Sequence, residues 1–223
     1  MRVLVIGSYA DSLSNFRGAL LAAMLLRSHE VHVAAPDLLE GTELRRQLEG
    51  RRLNVHDISL CRTGLNPLGD LYLLLSLLAL MRRIKPDVVL TYTAKPIIYG
   101  ILAAWLAGVT RRYALITGLG YAFTEQASGL HGIVKGIVLS LYKLSLPRSH
   151  KAFFQNTDDQ ECFRELGFLP ISVPSVVVNG SGVDLERFHM VSIPSGAPHF
   201  LLIARLLVSK GLREYAMAAH LKP

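Results

Sequence analysis

Seven short apolar, β-branched runs alternate with longer helical patterns through most of this 223-residue chain. The runs fall at 2–7, 30–35, 53–58, 87–92, 112–117, 151–155 and 175–179, and the helical patterns near 15–28, 41–49, 68–84, 97–107, 130–146 and 157–166. Strands separated by helices of this length pair in parallel, with helices on both faces of the sheet. The sequence therefore predicts an α/β fold with a doubly wound parallel sheet.

A segment rich in Ser, Pro and Gly at 190–198 separates this pattern from a further apolar run, 200–204, and a last helical pattern. We expect a first domain at 1–189, a linker at 190–198, and the first strand and helix of a second, incomplete domain at 199–223. One strand and one helix cannot bury their own apolar faces. We therefore expect an unstable tail unless a partner supplies the rest.

The charge balance favours anionic partners. The chain carries 24 Lys and Arg against 17 Asp and Glu, a formal net charge of +7, which suits a nucleotide diphosphate or an acidic membrane face. The basic residues are scattered in pairs without a binding motif, which argues against nucleic acid. The N-terminus lacks the features of a signal peptide, and Cys61 and Cys162 lack metal-ligand spacing. We expect a cytoplasmic protein with reduced cysteines and no metal site.

Polar and glycine-rich segments follow several of the predicted strands. They are 7–9, 91–95, 117–121 and 179–182. Because ligands of doubly wound sheets bind at the carboxyl ends of the strands, these segments are candidates for lining a crevice that holds a sugar and its phosphates. Each glycine on its own is also typical of a tight turn.

The loop after the first strand lacks the Gly-x-Gly-x-x-Gly pattern, which argues against a nicotinamide or flavin enzyme. The chain also lacks the P-loop and Gly-x-Ser-x-Gly patterns, which argues against their chemistries. Asp11, Ser12 and Ser14 instead offer N-caps for a helix. Arg17 either faces an anionic group near the start of that helix or is an exposed surface arginine.

Two helical patterns are relevant to whether the protein contacts a membrane. The segment 71–81 is apolar almost all round but is too short to span a bilayer, so we expect a helix buried between the sheet and the solvent. The pattern at 130–146 carries basic residues on one side and apolar residues on another, and Arg148 and Lys151 follow. The segment 130–151 therefore suits an interfacial helix, and ordinary core packing explains it almost as well.

Six segments together carry a resemblance to a known family. They read DSLSNFRG at 11–18, HEVHVAAP at 29–36, KPDVVLTYTAKP at 85–96, ITGLGYAF at 116–123, VNGSGVD at 178–184 and ARLLVSKG at 204–211. In this order they resemble bacterial family 4 glycosyltransferases across the whole chain. The resemblance extends to enzymes that add an N-acetylhexosamine or related sugar to a saccharide linked to undecaprenyl diphosphate.

The resemblance implies a GT-B architecture, in which two Rossmann-like domains face a cleft. The first domain binds the acceptor, the second binds the nucleotide-sugar donor, and the linker at 190–198 is the hinge. Such enzymes are retaining transferases that need neither a bound metal nor another cofactor. By motif position, Arg205 and Lys210 neutralise the donor diphosphate, which is expected to belong to a UDP-sugar.

The resemblance also implies residues on the acceptor side, which are Asn15, Arg17, Tyr92, Lys95, Gly118, Gly120 and Tyr121. Gly7, Asn179 and Gly180 are further cleft candidates because they follow predicted strands. Many relatives place a histidine after the fifth strand, but the equivalent stretch here, 117–120, contains none. No catalytic residue is therefore assigned.

The predicted function is transfer of a sugar from a nucleotide-sugar to a polyprenyl-diphosphate-linked saccharide at the cytoplasmic face of the inner membrane. The family's Glu-x7-Glu segment, whose carboxylates contact the donor, falls beyond Pro223 by motif order. We therefore expect a truncated chain with impaired activity. The alternative is a non-catalytic module that binds the acceptor or the membrane. A related nucleotide-sugar epimerase explains the membrane-suited helices less well.

Overall fold

A computed structural model describes residues 1–61, 64, 66–118, 130–186, 188–192, 195–197, 199–204, 206 and 210–220, without the side chains of 130, 131, 133 and 220. The chain divides into two compact units, Met1–Gly182 and Val183–Pro223. The domain boundaries expected from the sequence, 1–189, 190–198 and 199–223, remain a prediction. The first unit contains the whole of the sheet.

Seven parallel strands form that sheet in the order β3-β2-β1-β4-β5-β6-β7. Their bounds are Arg2–Ile6 (β1), Glu30–Ala35 (β2), Asn54–Asp57 (β3), Val88–Tyr92 (β4), Arg111–Ile116 (β5), Lys151–Phe154 (β6) and Ser175–Val177 (β7). The predicted doubly wound parallel sheet is confirmed: six of the seven predicted runs contain one strand each, and β5 begins one residue before the run predicted at 112–117. Because the strand order reverses between β1 and β4, a crevice is expected where these two strands end.

The α-helices of the described residues are Asp11–Asn15 (α1), Gly18–Leu26 (α2), Glu43–Gly50 (α3), Pro67–Ile84 (α4), Ile101–Leu106 (α5), Leu130–Ser145 (α6), Thr157–Glu165 (α7) and Leu212–His220 (α8). A π-helical turn, Pro96–Gly100, precedes α5, and a 3₁₀ turn, Leu146–Arg148, follows α6. The single helix predicted near 15–28 is thus two short helices. They meet at Phe16 and Arg17, which places Arg17 at a break rather than inside a helix.

The two faces of the sheet are covered unequally. Leu4 and Ile6 of β1 pack in a core with side chains of α4, α5, α6 and α7, whereas Val3 and Val5 pack in a second core with side chains of α1, α2 and α3. The second group of helices covers the half of the sheet that contains β1, β2 and β3. The described helices leave the part of this face over β5 and β6 open.

Helix α4 begins and ends with recognisable capping residues. The Asn66 side chain accepts a hydrogen bond from the Gly69 amide at 3.1 Å, and Pro67 occupies the first turn. Lys85 ends the helix in the left-handed region, with φ of 52°. As expected for 71–81, the helix lies between the sheet and the solvent: Leu73, Leu77 and Met81 are buried, whereas Leu71 and other residues on its outward side are exposed. No helix among the described residues has both the length and the apolar character needed to cross a bilayer.

Two stacked histidines lie on neighbouring strands β2 and β3. His32 Nδ1 and His56 Nε2 are 2.9 Å apart, and His32 Nε2 lies 3.1 Å from a carboxylate oxygen of Glu30. Burial, together with the smaller effects of the positive charges of His32, Arg83 and Arg45, lowers the pKa of His56 to about 4. His56 is therefore neutral in the folded protein at neutral pH.

Acid is expected to destabilise the fold through His56. The unfolded chain protonates this residue near pH 6.5, whereas the folded protein resists protonation until about pH 4. The contribution to stability is therefore complete above pH 6.5 and is lost as the pH falls through this window. Thermal unfolding followed by circular dichroism should show a weaker pH dependence for His56→Gln than for the parent, and an unchanged one for His199→Gln in the exposed second unit. Equal pH dependence in all three proteins would contradict this assignment.

The second unit contains one helix among its described residues, α8. The strand predicted at 200–204 is wrong: these residues form no strand, and Phe200, Leu201 and Ile203 are exposed. A parallel strand needs neighbours to satisfy its backbone groups, and none pairs with this segment among the described residues. The hydroxyl of Tyr215 on α8 donates to the Phe200 carbonyl at 2.7 Å, which links the segment to the helix.

Candidate functional site

The candidate site lies where β1 and β4 end. Ser8 follows β1, Thr93 follows β4, and their hydroxyl oxygens are 2.8 Å apart. Thr93 has a φ of 69°, in the left-handed region, which is strained for a β-branched residue. Such strain is concentrated at functional sites, where the surrounding structure enforces it. The geometry thus marks this edge as the part of the sheet to examine for a ligand.

Gly7 is required for the close approach of β1 to Tyr92. A Cβ atom on Gly7 would overlap the hydroxyl and the ring of Tyr92, with the ring Cε1 only 3.0 Å away. Tyr92 itself is almost completely buried. The glycine predicted to lie in the cleft therefore allows a buried tyrosine to cross the end of the first strand.

The Tyr92 hydroxyl lies 2.7 Å from Ser12 Oγ on α1. The Ser12 hydroxyl donates to the Tyr9 carbonyl, so the shared hydrogen is donated by Tyr92. Burial raises the pKa of Tyr92, although its contact with the Ser12 hydroxyl and the charge of Arg17 act in the opposite direction. Tyr92 is thus a neutral hydrogen-bond donor that fixes the start of α1 to the end of β4.

The predicted N-caps of the first helix are wrong. Ala10 occupies the N-cap position of α1, and no side chain caps the helix there. Asp11 is the first residue of the helix, and Ser12 and Ser14 lie inside it. The hydroxyl of Ser12 is instead used to hold Tyr92, a long-range contact that a local capping pattern cannot indicate.

Arg17 is a buried cation at this edge. It is only 5% exposed, and its guanidinium carbon lies 4.9 Å from the centroid of the Tyr92 ring. One terminal nitrogen donates to Ser181 Oγ at 2.8 Å and to the Phe16 carbonyl at 3.2 Å. Burial lowers the pKa of Arg17, and the interaction with Tyr92 opposes this effect. The alternative of an exposed surface arginine is therefore wrong.

The guanidinium of Arg17 is incompletely satisfied. Its Nε makes no hydrogen bond with the described residues, and no described carboxylate forms an ion pair with it. A buried charge without a counterion is costly unless a bound group supplies hydrogen bonds and opposite charge. Arg17 therefore has the character of a binding group for an anion.

A cavity of about 540 Å³ adjoins Arg17 on the open part of the sheet face. Its polar end contains Arg17, Gln155, Gly180 and Ser181, while the remaining walls are mostly apolar. The apolar walls come from α2, from strands β1, β4, β5 and β6 and from Val178, and they are Val3, Leu20, Ala23, Met24, Val88, Leu90, Tyr113, Leu115, Phe153 and Val178. Arg27 and His29 also line the cavity. The cavity suits a ligand with an anionic or polar end and an apolar body.

Lys95 is held by a buried carboxylate. Its Nζ lies 2.7 Å from Asp70 on α4, and the Tyr99 hydroxyl donates to the other oxygen of Asp70 at 3.1 Å. Burial raises the pKa of Tyr99, as do the charge and the hydrogen bond of Asp70. Lys95, predicted for the acceptor side, is therefore engaged in joining the end of β4 to α4.

The structure brings together only part of the predicted site. Gly7, Arg17, Tyr92 and Gly180 lie in or beside the arrangement around the cavity. Asn15, Gly118 and Asn179 lie at the same carboxyl edge and are exposed, and Lys210 is exposed in the second unit. Gly120, Tyr121 and Arg205 lie outside the described residues. Within the described residues no cluster of His, Cys, Asp or Glu is arranged to hold a metal ion.

Sequence reasoning missed three residues that organise this edge. Asp70 pairs with Lys95, Ser181 accepts from Arg17, and Thr93 carries the strained backbone. The signal for Asp70 was available, because a carboxylate in the first turn of an apolar helix demands a partner. Ser181 stood within the polar loop 179–182, whereas nothing in the sequence indicated the left-handed conformation of Thr93.

Two relatives of established activity are similar to this chain in sequence. The chain is 29% identical to the N,N'-diacetylbacillosaminyl-diphospho-undecaprenol alpha-1,3-N-acetylgalactosaminyltransferase of Campylobacter jejuni, over 98% of this chain and 60% of the relative. It is 32% identical to the UDP-Gal:alpha-D-GlcNAc-diphosphoundecaprenol alpha-1,3-galactosyltransferase of Escherichia coli, over 58% of this chain and 32% of the relative. The chain thus spans less than two thirds of the length of either relative.

Solved structures share the fold. A glycosyltransferase from Rickettsia africae matches with a TM-score of 0.53 and 15% identity, over 84% of this chain and 45% of that chain. The UDP-GlcNAc 2-epimerase from Neisseria meningitidis, bound to UDP-GlcNAc, matches with a TM-score of 0.53 and 16% identity, over 81% of this chain and 47% of that chain. At these identities the likeness concerns the fold alone, and it does not separate transferase from epimerase.

A family model also matches the chain. The model described as "Glycosyl transferase 4-like" matches residues 10–156. The matched segment covers about two thirds of the chain and contains α1, the break at Arg17, Tyr92 and the Lys95–Asp70 pair. The resemblance to family 4 glycosyltransferases is therefore confirmed, and the chain belongs to the glycosyl transferase 4-like family.

Proposed function

We propose that this protein takes part in transferring a sugar from a nucleotide-sugar, UDP-linked, to a saccharide carried on a polyprenyl diphosphate, with retention at the anomeric carbon. The family membership and the names of the two relatives, which are undecaprenyl-diphosphate-linked sugar transferases, support this proposal. The products of such reactions serve the assembly of surface polysaccharides or glycans. The chain spans only 60% of the length of the Campylobacter relative. The complete reaction is therefore stated as a proposal.

Arg17 carries the proposal. It is buried, it lacks a carboxylate partner among the described residues, and it stands at the polar end of the cavity. The acceptor in this proposal contributes a diphosphate, and a guanidinium binds such a group through short charge-assisted hydrogen bonds. Ser181 and Tyr92 fix the orientation of the guanidinium. Gly7, Asn15, Gly118, Gly120, Tyr121, Asn179 and Gly180 complete the proposed acceptor side, and Lys95 contributes through its pair with Asp70.

On the donor side, we propose that Arg205 and Lys210 neutralise the diphosphate of the nucleotide-sugar. As the bond to the sugar breaks, the departing diphosphate gains negative charge, and cations already in position stabilise that charge in the transition state. The exposed position of Lys210 leaves its ammonium accessible to such a group. The catalytic residue itself is not assigned.

A second candidate is a non-catalytic module that binds the acceptor or the membrane. It is favoured by the second unit, in which 200–204 forms no strand and α8 is largely exposed. Calorimetric titration with UDP-sugars separates the two candidates, because only a transferase needs the donor. Mass spectrometry of the products excludes the epimerase alternative if the acceptor gains one sugar residue and the free nucleotide-sugar is not epimerised.

We further propose attachment to the inner face of the cytoplasmic membrane, since the acceptor of this reaction is lipid-linked. The sequence nominated 130–151 for this contact. Two apolar side chains of α6, Ile137 and Leu144, are exposed, as is Lys143. Tyr142 and Leu146 are buried in the core beside the sheet. The contact through 130–151 therefore remains a prediction in which only the outward side of α6 takes part.

Arg17→Met is expected to weaken acceptor binding by about a hundredfold, because methionine removes the positive charge. Arg17→Lys is expected to weaken it by about tenfold, because lysine keeps the charge but lacks the paired N–H donors of the guanidinium. Isothermal titration with a water-soluble, short-chain polyprenyl-diphosphate saccharide measures this change. Arg148→Met is a matched control, since Arg148 also stacks on an aromatic ring, with its guanidinium carbon 4.6 Å from the centroid of Trp105. Circular dichroism verifies folding, and undiminished binding by a folded Arg17→Met protein would refute the role of Arg17.

A further inference from the structure

Helix α4 presents an apolar stripe to the solvent. Leu68, Leu71, Tyr72 and Leu75 are 81%, 50%, 61% and 54% exposed. Their spacing of i, i+3, i+4 and i+7 places them on one side of the helix. Single exposed apolar residues are ordinary, but four large ones on one stripe form a contiguous patch that marks an interaction surface.

The orientation of this stripe is fixed by the opposite side of the helix. Leu73, Leu77 and Met81 are buried in the core against the sheet. Asp70, on the same inner side, holds Lys95 at 2.7 Å. Turning the stripe inward would expose these groups and break a buried ion pair, so the helix cannot rotate to hide it.

The stripe leads into two cations. Arg82 and Arg83 are exposed in the last turn of α4, about two turns or roughly 10 Å beyond Leu75 along the axis. The outward side of the helix is therefore apolar through its first turns and basic at its end. The net charge of +7 has the same sign. Anionic lipid headgroups complement this arrangement, in which apolar side chains enter the acyl boundary and arginines contact phosphates.

The stripe lies close to the candidate site. Asp70, in the first turn of α4, pairs with Lys95, which follows β4 at the carboxyl edge of the sheet. The apolar turns therefore start at the edge where Arg17 and Tyr92 lie, whereas the arginines lie at the far end of the helix. The cavity lies on the opposite face of the sheet from α4, so a bilayer on this helix would reach the candidate site only at this shared edge.

We propose that the outward side of α4 is a docking surface for an anionic lipid bilayer, with the helix lying in the interface plane. The choice of a bilayer rather than a protein partner rests on the proposed function, because that function requires a polyprenyl-linked acceptor. Compared with α4, helix α6 exposes fewer large apolar side chains among its described residues, Ile137 at 44% and Leu144 at 45%. The structure therefore favours α4 over 130–151 as the main contact.

The test is co-sedimentation of the full chain with vesicles of phosphatidylethanolamine and phosphatidylglycerol that contain no polyprenyl acceptor. The triple variant Leu71→Ser, Tyr72→Ser and Leu75→Ser is expected to lower the partition coefficient about tenfold or more. The matched control, Leu26→Ser with Ile171→Ser, removes two exposed apolar side chains outside α4 and α6 and should bind within about twofold of the parent. Arg82→Gln with Arg83→Gln should remove the preference for these vesicles over pure phosphatidylcholine.

Several outcomes would overturn the proposal. They are no vesicle binding by the parent, loss of binding in the control variant alone, and equal binding by the parent and the folded triple variant. Light scattering tests a second copy as the occupant: self-association that the triple variant abolishes, without vesicle binding, would assign the stripe to a dimer interface. Because the vesicles lack acceptor and donor, a failure of the transferase proposal leaves this result intact, and the two failures are distinguishable.

Discussion

Gly7→Ala is expected to lower the free energy of unfolding by about 3 kcal/mol, the upper end of the range for overpacking a core. The added methyl group would overlap the Tyr92 hydroxyl and ring. Tyr92 has no room to retreat, because it is almost fully buried, its hydroxyl is bonded to Ser12, and Arg17 lies over its ring. The strand end or the tyrosine must therefore shift.

Urea denaturation of the two proteins measures this loss. Gly136→Ala is the matched control, because a methyl group on Gly136 of α6 meets nothing within 4 Å, and alanine in a helix is preferred over glycine by about 1 kcal/mol. The control should thus gain stability. Tyr92→Leu combined with Gly7→Ala should cost less than the sum of the two single changes. Additive costs, or a Gly7→Ala protein as stable as the parent, would show that the overlap is relieved in another way.

Asp70→Ala is expected to cost about 3 kcal/mol or more, because removing one partner of a buried pair leaves the other charge uncompensated. Lys95 Nζ would lose its contact at 2.7 Å, and the Tyr99 hydroxyl would lose its acceptor at 3.1 Å. Both partners lie under α4 near the end of β4. The loss should therefore also loosen the first turns of α4, which amide hydrogen exchange detects as reduced protection.

The ion pair between Glu43 and Arg46 provides the contrast. Their side chains approach to 3.2 Å but are mostly exposed, so Glu43→Ala should cost no more than about 0.5 kcal/mol. Replacing both buried partners, Asp70→Leu with Lys95→Met, should recover most of the stability lost in Asp70→Ala, since no unpaired charge remains. Asp70→Ala with a denaturation midpoint equal to that of Glu43→Ala would contradict the buried-pair assignment.

The sheet was predictable because its signal is local and repeated. The run 87–92 contains β4, and 2–7 contains β1, since both consist of apolar residues bounded by turn signals. The same signal failed at 200–204, where an apolar, β-branched run forms no strand. Apolar character predicts that a segment seeks burial, but strand formation also requires neighbours with free backbone groups, and these come from elsewhere in the chain.

The sequence indicated at which edge of the sheet the candidate site lies, but it did not indicate which side chains contact one another there. Gly7, Tyr92 and Gly180 belong to segments at strand ends, and they lie with Arg17 in or beside the arrangement around the cavity. Lys95 is engaged by Asp70, 25 positions away, and such a partner depends on how α4 packs. The outward stripe of α4 was likewise hidden, because a helix that is apolar all round does not reveal which side faces the sheet.

The hydrogen bond between Arg17 and Ser181 joins residues 164 positions apart. During synthesis, the guanidinium leaves the ribosome long before its hydroxyl partner, and every other strand of the sheet is complete before β7 arrives with the loop that carries Ser181. Contacts of such long range form late, because the chain between them must first be ordered. A nascent or cleaved chain that stops short of this loop therefore has most of the sheet and Tyr92 but leaves the arginine without its anchor. Binding competence is thus acquired last in the assembly of the first unit.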